Sequence, residues 1–294
     1  MKKHIAILIV SLCAAFCFIP AHAIKIGLFV KEPSVLVSVS DEAQMIDTKT
    51  NKQVCILHKM LMYEITPLND NSMIVRSNYG QCTVYTNDAV LKPLNLNACI
   101  YTKNKWYRGI LRLRNTDGGI TAINDLCMEQ YLQGVLAAEM PSSWEIEALK
   151  AQAIAARTYA AANYGKHHND GFDLLDTQSD QVYNGICAET EASNKAVLET
   201  KGIIMVYDNK PITAMYSSAA GGQTRSALEM FGNNIPYLQS VPSYDTDVQS
   251  KGHGVGMTQH GAKNLAKMGN NAYQILKHFY NDIGFARLNP LYYK

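Results

Sequence analysis

A carboxylate set between an apolar segment and a proline is a candidate proton donor, and Glu139, in Glu139-Met140-Pro141, has that setting. Desolvation there disfavours the charged form, raises the pKa and leaves a proton to give. The other reading of Glu139 is a carboxylate helping to cap a helix that starts near Ser142. Downstream, Lys150, Ile154 and Arg157 recur at spacings of four and three, which puts two cations on one helical face. On an ordinary surface helix such a face is merely solvated. Gly252, Gly254 and Gly256 surround His253 in Gly252-His253-Gly254-Val255-Gly256-Met257-Thr258-Gln259. Glycines cost chain entropy, so this run implies a special backbone path. Ser217 to Gly222 is a second run of small residues, either a tight turn or a loop that lets a long polymer approach the backbone at Gly221 and Gly222.

These residues need elements to hold them. From Ile24 to about Asn115 the pattern is β: Ile24, Ile26 and Leu28, then Val35, Val37 and Val39, recur at period two. Thr50-Asn51, Asn69-Asp70-Asn71 and Asn87-Asp88 mark turns between the runs. Tyr107 to Leu113 alternates and leads through Asp117-Gly118-Gly119, a hairpin signal, to Ile120–Asn124. Helices are predicted over Met128 to Ala138, ending near Pro141, and from a Ser142/Glu145 capping box through Arg157 to Gly165. Further helices are predicted over Glu189 to Thr200, Ala262 to Met268 and Tyr273 to Tyr280, with Ile203–Tyr207 and Pro211–Tyr216 forming a hairpin around Asp208-Asn209. The fold class is α+β: a strand-rich N-terminal region over residues 24–115, then a mixed helix/sheet core over residues 116–294.

The chain has 294 residues, 47% hydrophobic and 18% charged, enough for a large core and unlike a disordered chain. Its 27 basic and 25 acidic side chains give a net charge of +2, too balanced for a nucleic-acid binder guided by bulk electrostatics. Lys2, Lys3 and His4, the apolar run Ile5 to Ile19, and Ala21-His22-Ala23 have the order of a secretory signal spanning residues 1–23 and cleaved after Ala23. That run is about 15 residues, short of the ~20 that cross a bilayer, and no later stretch approaches it. The mature chain is therefore expected outside the cytoplasm, with no integral membrane segment; an uncleaved N-terminal anchor is the alternative. Removing Lys2 and Lys3 leaves acidic and basic groups equal in number. Cleavage also leaves Cys55, Cys82, Cys99, Cys127 and Cys187, an odd set for an oxidising compartment. Cys82 and Cys99 flank a turn-rich segment and can pair, or all five are small buried hydrophobes. No Cys-x-x-Cys occurs, which argues against a thiol-based metal or redox centre.

Several stretches carry a resemblance when read in order: Tyr131 to Pro141 (YLQGVLAAEMP), Glu147 to Tyr159 (EALKAQAIAARTY), Asp176-Thr177 with Gln181-Val182-Tyr183, Gly221-Gly222, Gly232 with Pro236-Tyr237-Leu238, and Gly252 to Gln259 before Gly261-Ala262. Together they resemble the SpoIID/LytB family of peptidoglycan-active proteins. The likeness runs over most of the mature chain and is strongest from Asn124 to Tyr280.

The resemblance implies lytic transglycosylase activity on peptidoglycan glycan strands held in a glycan-binding cleft. The MurNAc-GlcNAc β-1,4 bond is cleaved with formation of a 1,6-anhydro end, and no cofactor is expected. The family's catalytic glutamate falls on Glu139. A hydrolase needs two carboxylates, whereas a transglycosylase works with one that acts as acid and then as base. Lys150 and Arg157 fall on recurrent positions and would bind the lactyl carboxylate of MurNAc or hold Glu139. Gln181, Tyr183, Gly221, Gly222, His253 and Gln259 fall on the remaining motifs as substrate-binding positions. His253 contacts sugar hydroxyls, supports the glutamate, or is satisfied by the glycine-loop backbone.

Several relatives carry cysteine, histidine and cysteine around the Asp-Thr motif, where they can bind zinc. Here Leu175, Ser179 and Asp180 stand at those positions, so no metal is expected. Adjacent His167 and His168 on a helix end point apart and make a poor substitute. Ser217 stands where a histidine is common and Phe231 where a tryptophan is. A second reading comes from the family's amidase-enhancer members: a noncatalytic binder that delivers or stimulates a cell-wall amidase. A third, a cysteine peptidase using Cys127 or Cys187 with His253, lacks a nucleophile signature.

Overall fold

A computed structural model describes residues 23–288, so the expected signal segment ahead of Ala23 lies outside the described residues. The chain opens as β structure, with β1 (Ala23–Glu32), β2 (Val35–Val39), β3 (Ala43–Asp47), β4 (Gln53–Leu57), β5 (Tyr63–Asn69) and β6 (Ser72–Ser77). It continues with β7 (Gly80–Val84), β8 (Asp88–Pro93), β9 (Ile100–Thr102), β10 (Lys105–Tyr107), β11 (Ile110–Thr116) and β12 (Gly119–Cys127). Helices α1 (Met128–Glu139) and α2 (Ile146–Ala162) follow, then β13 (Leu174–Leu175), α3 (Glu191–Glu199), β14 (Ile203–Tyr207) and β15 (Lys210–Pro211). The last elements are β16 (Tyr216–Ser217), α4 (Ala227–Phe231), β17 (Met257–Thr258), α5 (Gln259–Lys267), α6 (Ala272–Phe279) and β18 (Gly284–Arg287).

A seven-stranded sheet has the order β13-β1-β12-β11-β8-β3-β4, and a six-stranded sheet the order β10-β9-β2-β5-β6-β7. Period-two alternation buries Ile24, Ile26 and Leu28 on β1 and Val35, Val37 and Val39 on β2. Inward residues of both sheets, among them Met45, Leu91 and Leu113 of the first and Val37, Ile65 and Val75 of the second, join one buried cluster. At the β11–β12 turn Asp117 and Gly118 have φ of 52° and 75°, the paired positive values of a tight hairpin. The expected boundary at 115/116 falls inside this hairpin, and β12 lies between β1 and β11, so the two regions share a sheet.

The alanine-rich α2 is buried almost all round and packs against α1, α3, α5 and α6, which makes it the central helix of the second half. The capping box expected from Ser142 and Glu145 does not form. A turn after Pro141, closed by the Trp144 N–H on the Pro141 carbonyl (3.1 Å), occupies those residues, and α2 starts at Ile146 with no side-chain cap. The second arm of the expected 203–216 hairpin is short: β14 meets β15 only at Val206↔Pro211 and Tyr207↔Lys210, and β18 takes its other edge. Helix α5 begins at Gln259 rather than Ala262 because the Thr258 hydroxyl accepts the Gly261 N–H (3.1 Å) and caps it earlier. Cys82, which the sequence allows either to pair with Cys99 or to stay a small buried hydrophobe, lies with its sulfur 3.1 Å from that of Cys55. Among the described residues no helix is long and apolar enough to cross a membrane.

Candidate active site

Glu139 is the last residue of α1, where Met140 turns extended ahead of Pro141. Its Oε1 accepts the Val182 N–H at 3.1 Å, and the Gln259 side chain at the start of α5 also hydrogen-bonds to it. Burial pushes the carboxyl above its ordinary value, and these two hydrogen bonds to the charged form hold the rise in check. The carboxyl faces a cavity of about 670 Å³ whose walls include Tyr159, Gln178, Ser179, Asp180, Tyr216, Ser217, Lys251, Gly252, His253 and Gln259. No cysteine is in that lining, so Cys127 and Cys187 do not meet His253 there as a peptidase would require.

Three remote segments build the wall. The parallel pair β16–β17 joins Tyr216↔Met257 and Ser217↔Thr258, bringing the small-residue run beside the glycine-histidine run. Gly256 has φ of 73°, and a Cβ there would lie 2.1 Å from the Met215 carbonyl oxygen, so only glycine lets β17 pass this close. His253 lines the cavity, but both ring nitrogens are engaged by backbone: Nδ1 accepts the Val255 N–H (3.0 Å) and the ring also hydrogen-bonds the Tyr216 backbone. Burial lowers its pKa, which keeps it neutral. The Ser217 hydroxyl is buried in the cavity wall with no hydrogen-bond partner among the described residues.

The loop from Ala220 to Gly222 hangs on a residue not anticipated from the sequence. Asp245, buried, accepts the Ala220 N–H with Oδ2 and the Gly222 N–H with Oδ1, both at 2.9 Å, and the Ser243 hydroxyl. Burial opposes its charge, but Ser243 and those N–H groups outweigh it and hold the carboxyl below the usual range. Gly221 and Gly222, expected to face substrate, therefore shape the loop and are not in the cavity lining.

Asp180 is the second carboxylate of the cavity wall, and it is committed elsewhere. Its side chain is 0% exposed, Oδ2 accepts the Leu175 N–H (2.8 Å) and pairs with His167 Nε2 (2.9 Å), and Oδ1 pairs with Lys166. Burial works against the charge, yet Lys166, Leu175 and His167 together keep the carboxyl low and ionised. This ion pairing ties down the loop that carries Leu175, Ser179 and Asp180. His168 points away from it, onto the Gly165 carbonyl.

Besides Gly221 and Gly222, four expected binding residues do not reach the cavity. Arg157 is 0% exposed and makes two bonds to Glu129 (3.1 and 2.7 Å) besides contacts to the Ile203 and Val197 carbonyls. Glu129 lies in the first turn of α1 and Glu139 at its last residue, about 15 Å apart by the helical rise. Lys150 pairs with Glu147 (2.9 Å) and Glu199 (2.7 Å). The two cations do share a face, but that face meets α1 and α3. Gln181 sits behind the wall, accepting from the Tyr131 hydroxyl (3.2 Å) and donating to the Ala156 carbonyl (3.2 Å) and the Tyr216 hydroxyl (3.0 Å). Tyr183 is buried against Tyr107 and Tyr131 and donates to Asn124 Oδ1 (3.0 Å). Lys251, beside the glycine-histidine run, is the cation that lines the cavity in their place.

Residues 116–207 match the family described as Stage II sporulation protein, SpoIID. An uncharacterized protein of Brachyspira hyodysenteriae is 40% identical over 146 residues, which is 49% of this chain and 40% of that protein. Amidase enhancer of Bacillus subtilis is 44% identical over 107 residues, 36% of this chain and 14% of its own. Stage II sporulation protein D of Bacillus subtilis is 37% identical over 137 residues, 42% of this chain and 40% of its own. The chain thus spans 40% or less of the length of these relatives. The family match includes Glu139 and the loop of Asp180, while Lys251, His253 and Gln259 lie beyond it. With the Glu-Met-Pro helix end and the motifs around it inside the matched region, residues 116–207 carry the likeness to the SpoIID family, and the relatives named Stage II sporulation protein D and Amidase enhancer support membership.

Proposed function

We propose that the protein is an exported peptidoglycan lytic transglycosylase that cleaves MurNAc-GlcNAc β-1,4 bonds in glycan strands and leaves 1,6-anhydroMurNAc ends during cell-wall remodelling in division or sporulation. One observation carries the reading: a carboxyl with a raised pKa, Glu139, opens on a polar cavity whose neighbouring carboxylate, Asp180, is tied up in ion pairs. That is the setting for a reaction run by one carboxyl rather than two. Neutral Glu139 donates its proton to the glycosidic oxygen as the C1–O bond breaks. The C6 hydroxyl of the same sugar attacks C1 of the oxocarbenium-like centre, and the Glu139 carboxylate takes the hydroxyl proton, which restores the acid. The Val182 N–H and Gln259 stabilise the carboxylate between the two steps. Lys251, which lines the cavity, would meet the lactyl carboxylate. Export fits the start of β1: cleavage after Ala23 removes one exposed residue and leaves the buried Ile24 paired with Leu126.

The 44% identity to a protein named Amidase enhancer favours one other reading, a glycan binder that stimulates a cell-wall amidase. Glu139→Gln keeps the shape of the side chain and can still accept the Val182 N–H, but neither donates nor accepts the catalytic proton. Release of anhydro-muropeptides, read by mass spectrometry, is expected to fall by roughly 10²–10⁴, with glycan pull-down retained. Equal release by wild type and a folded Glu139→Gln would refute the assignment. No release by either, together with stimulation of an amidase, would establish the enhancer reading.

A further inference from the structure

The two large sheets each end in an unpaired edge, and those edges meet. Among the described residues, strand β4 is the last of the seven-stranded sheet and hydrogen-bonds only to β3, while β7 is the last of the six-stranded sheet and hydrogen-bonds only to β6. Val54 and Ile56 on β4 are 37% and 39% exposed, so this edge carries apolar side chains with no backbone ladder beside it, the usual setting for fraying and wrong pairing. In the middle of each strand stands a cysteine, Cys55 on β4 and Cys82 on β7, and their sulfurs are 3.1 Å apart. A shift of about 1 Å brings them to the bond length of ~2.05 Å. Cys99 faces the Asn97 carbonyl instead.

We propose that Cys55 and Cys82 are a disulfide-forming pair that staples the free edge of one sheet to the free edge of the other when the protein meets a small-molecule disulfide such as oxidised glutathione. Burial and the adjoining Cys82 push the Cys55 thiol up to about 12, and the two sulfurs stand close enough for one to resolve a mixed disulfide formed on the other. One thiolate of the pair attacks one sulfur of the small disulfide and expels a thiolate, giving a mixed disulfide. The other cysteine, losing its proton to solvent as it attacks, displaces the second small thiolate from the first sulfur. Two protein thiols and one small disulfide become one protein disulfide and two small thiols. The bond closes a loop across a sequence separation of 27, and on the loop-entropy account it raises the melting midpoint by roughly 5–10 °C.

The test incubates the purified full chain with oxidised glutathione or with dithiothreitol, blocks remaining thiols, and maps disulfides by mass spectrometry without reduction. Trypsin with Asp-N separates Cys55, Cys82 and Cys99 into peptides 53–59, 77–87 and 88–103. A conjugate of 53–59 with 77–87, two hydrogens lighter than the sum of its parts, is expected in the oxidised sample alone. Three separate blocked peptides, or a conjugate of 77–87 with 88–103, would overturn the pairing. Melting of the same two samples is the second readout: the oxidised wild type should melt higher, and Cys55→Ser should show no difference between the two treatments. A wild-type midpoint that oxidation leaves unmoved would overturn the stapling role. The peptide map uses only the wild type, so it decides the pairing even where the variant fails to fold.

Discussion

In the proposed reaction Glu139 has to be neutral when the glycosidic oxygen needs a proton and charged when the C6 hydroxyl must lose one, and its surroundings suit both states. Burial favours the neutral form, while the Val182 N–H and Gln259 favour the carboxylate. Two pH effects follow from the raised value. First, kcat/KM on glycan should fall as pH rises through the Glu139 pKa, because the free enzyme then loses its acid. A flat profile from the ordinary carboxylate range to neutrality would contradict the acid role. Second, a carboxyl whose folded pKa lies above its unfolded value of ~4.3 costs stability once ionised. Wild type should lose stability relative to Glu139→Gln as pH climbs from the unfolded value through the folded one, after which the gap stays constant. Melting both proteins at about pH 3.5 and about pH 7.5 should show a wider gap at the higher pH. Arg157 belongs to stability alone. Arg157→Ala leaves Glu129 without its partner in a buried site and should cost about 3–5 kcal/mol in denaturant unfolding, with glycan affinity of the folded protein unchanged. Weakened binding at full stability would bring Arg157 back into the site.

At the scale of elements, the loop from Leu175 to Val182 is what aims the glutamate. Asp180 anchors the loop through Lys166, His167 and the Leu175 N–H, and two residues later the Val182 N–H reaches Glu139. Asp180→Asn keeps the side-chain volume and removes the charge that holds the loop. With Val182 less well placed the Glu139 carboxylate loses a donor, so the downward inflection of the pH profile should move to higher pH while activity falls about tenfold or more. An unchanged inflection in a folded Asp180→Asn would show that the anchor does not reach Glu139. Elements of this kind are only partly legible in a sequence. The end of α1 is written locally, by a helical run stopped at Glu139-Met140-Pro141, and the glycine spacing around His253 marks an unusual path without reference to anything distant. Asp245 carries no local pattern, since its function comes from the Ala220 and Gly222 N–H groups more than twenty residues away. Spacing correctly put Lys150 and Arg157 on one face, but a spacing rule does not say what that face meets, and here it meets Glu129, Glu147 and Glu199. Gln181 and Tyr183 sit in a recognisable motif for a packing reason, holding the wall residue Tyr216 from behind together with the buried Tyr131 and Asn124.

For the molecule as a whole, the strand-rich region and the part that carries Glu139 are bound through shared β structure. Strand β12, which runs directly into α1, is paired along its length with β1, from Ala23↔Cys127 to Glu32↔Ile120, and on its other side with β11. Strand β13, just ahead of the loop of Asp180, pairs with β1 at Ile26↔Leu174 and Gly27↔Leu175. Lys103, in the turn between β9 and β10, forms an ion pair with the buried Asp176 (2.8 Å), so the N-terminal region also holds the Asp-Thr segment of the cavity loop. Residues 116–294 expressed alone would leave β12 bare on both edges, β13 without a partner, and Ile120, Ala122 and Leu126 uncovered. That fragment is therefore expected to aggregate or to melt without a cooperative transition, and to release no anhydro-muropeptides, whereas residues 24–294 melt in one step. The comparison needs only calorimetry and the release assay on the two purified proteins. A sharp transition and full activity in the shorter one would mean that the region carrying Glu139 folds without β1, and that the long β1–β12 pairing is dispensable for aiming the acid.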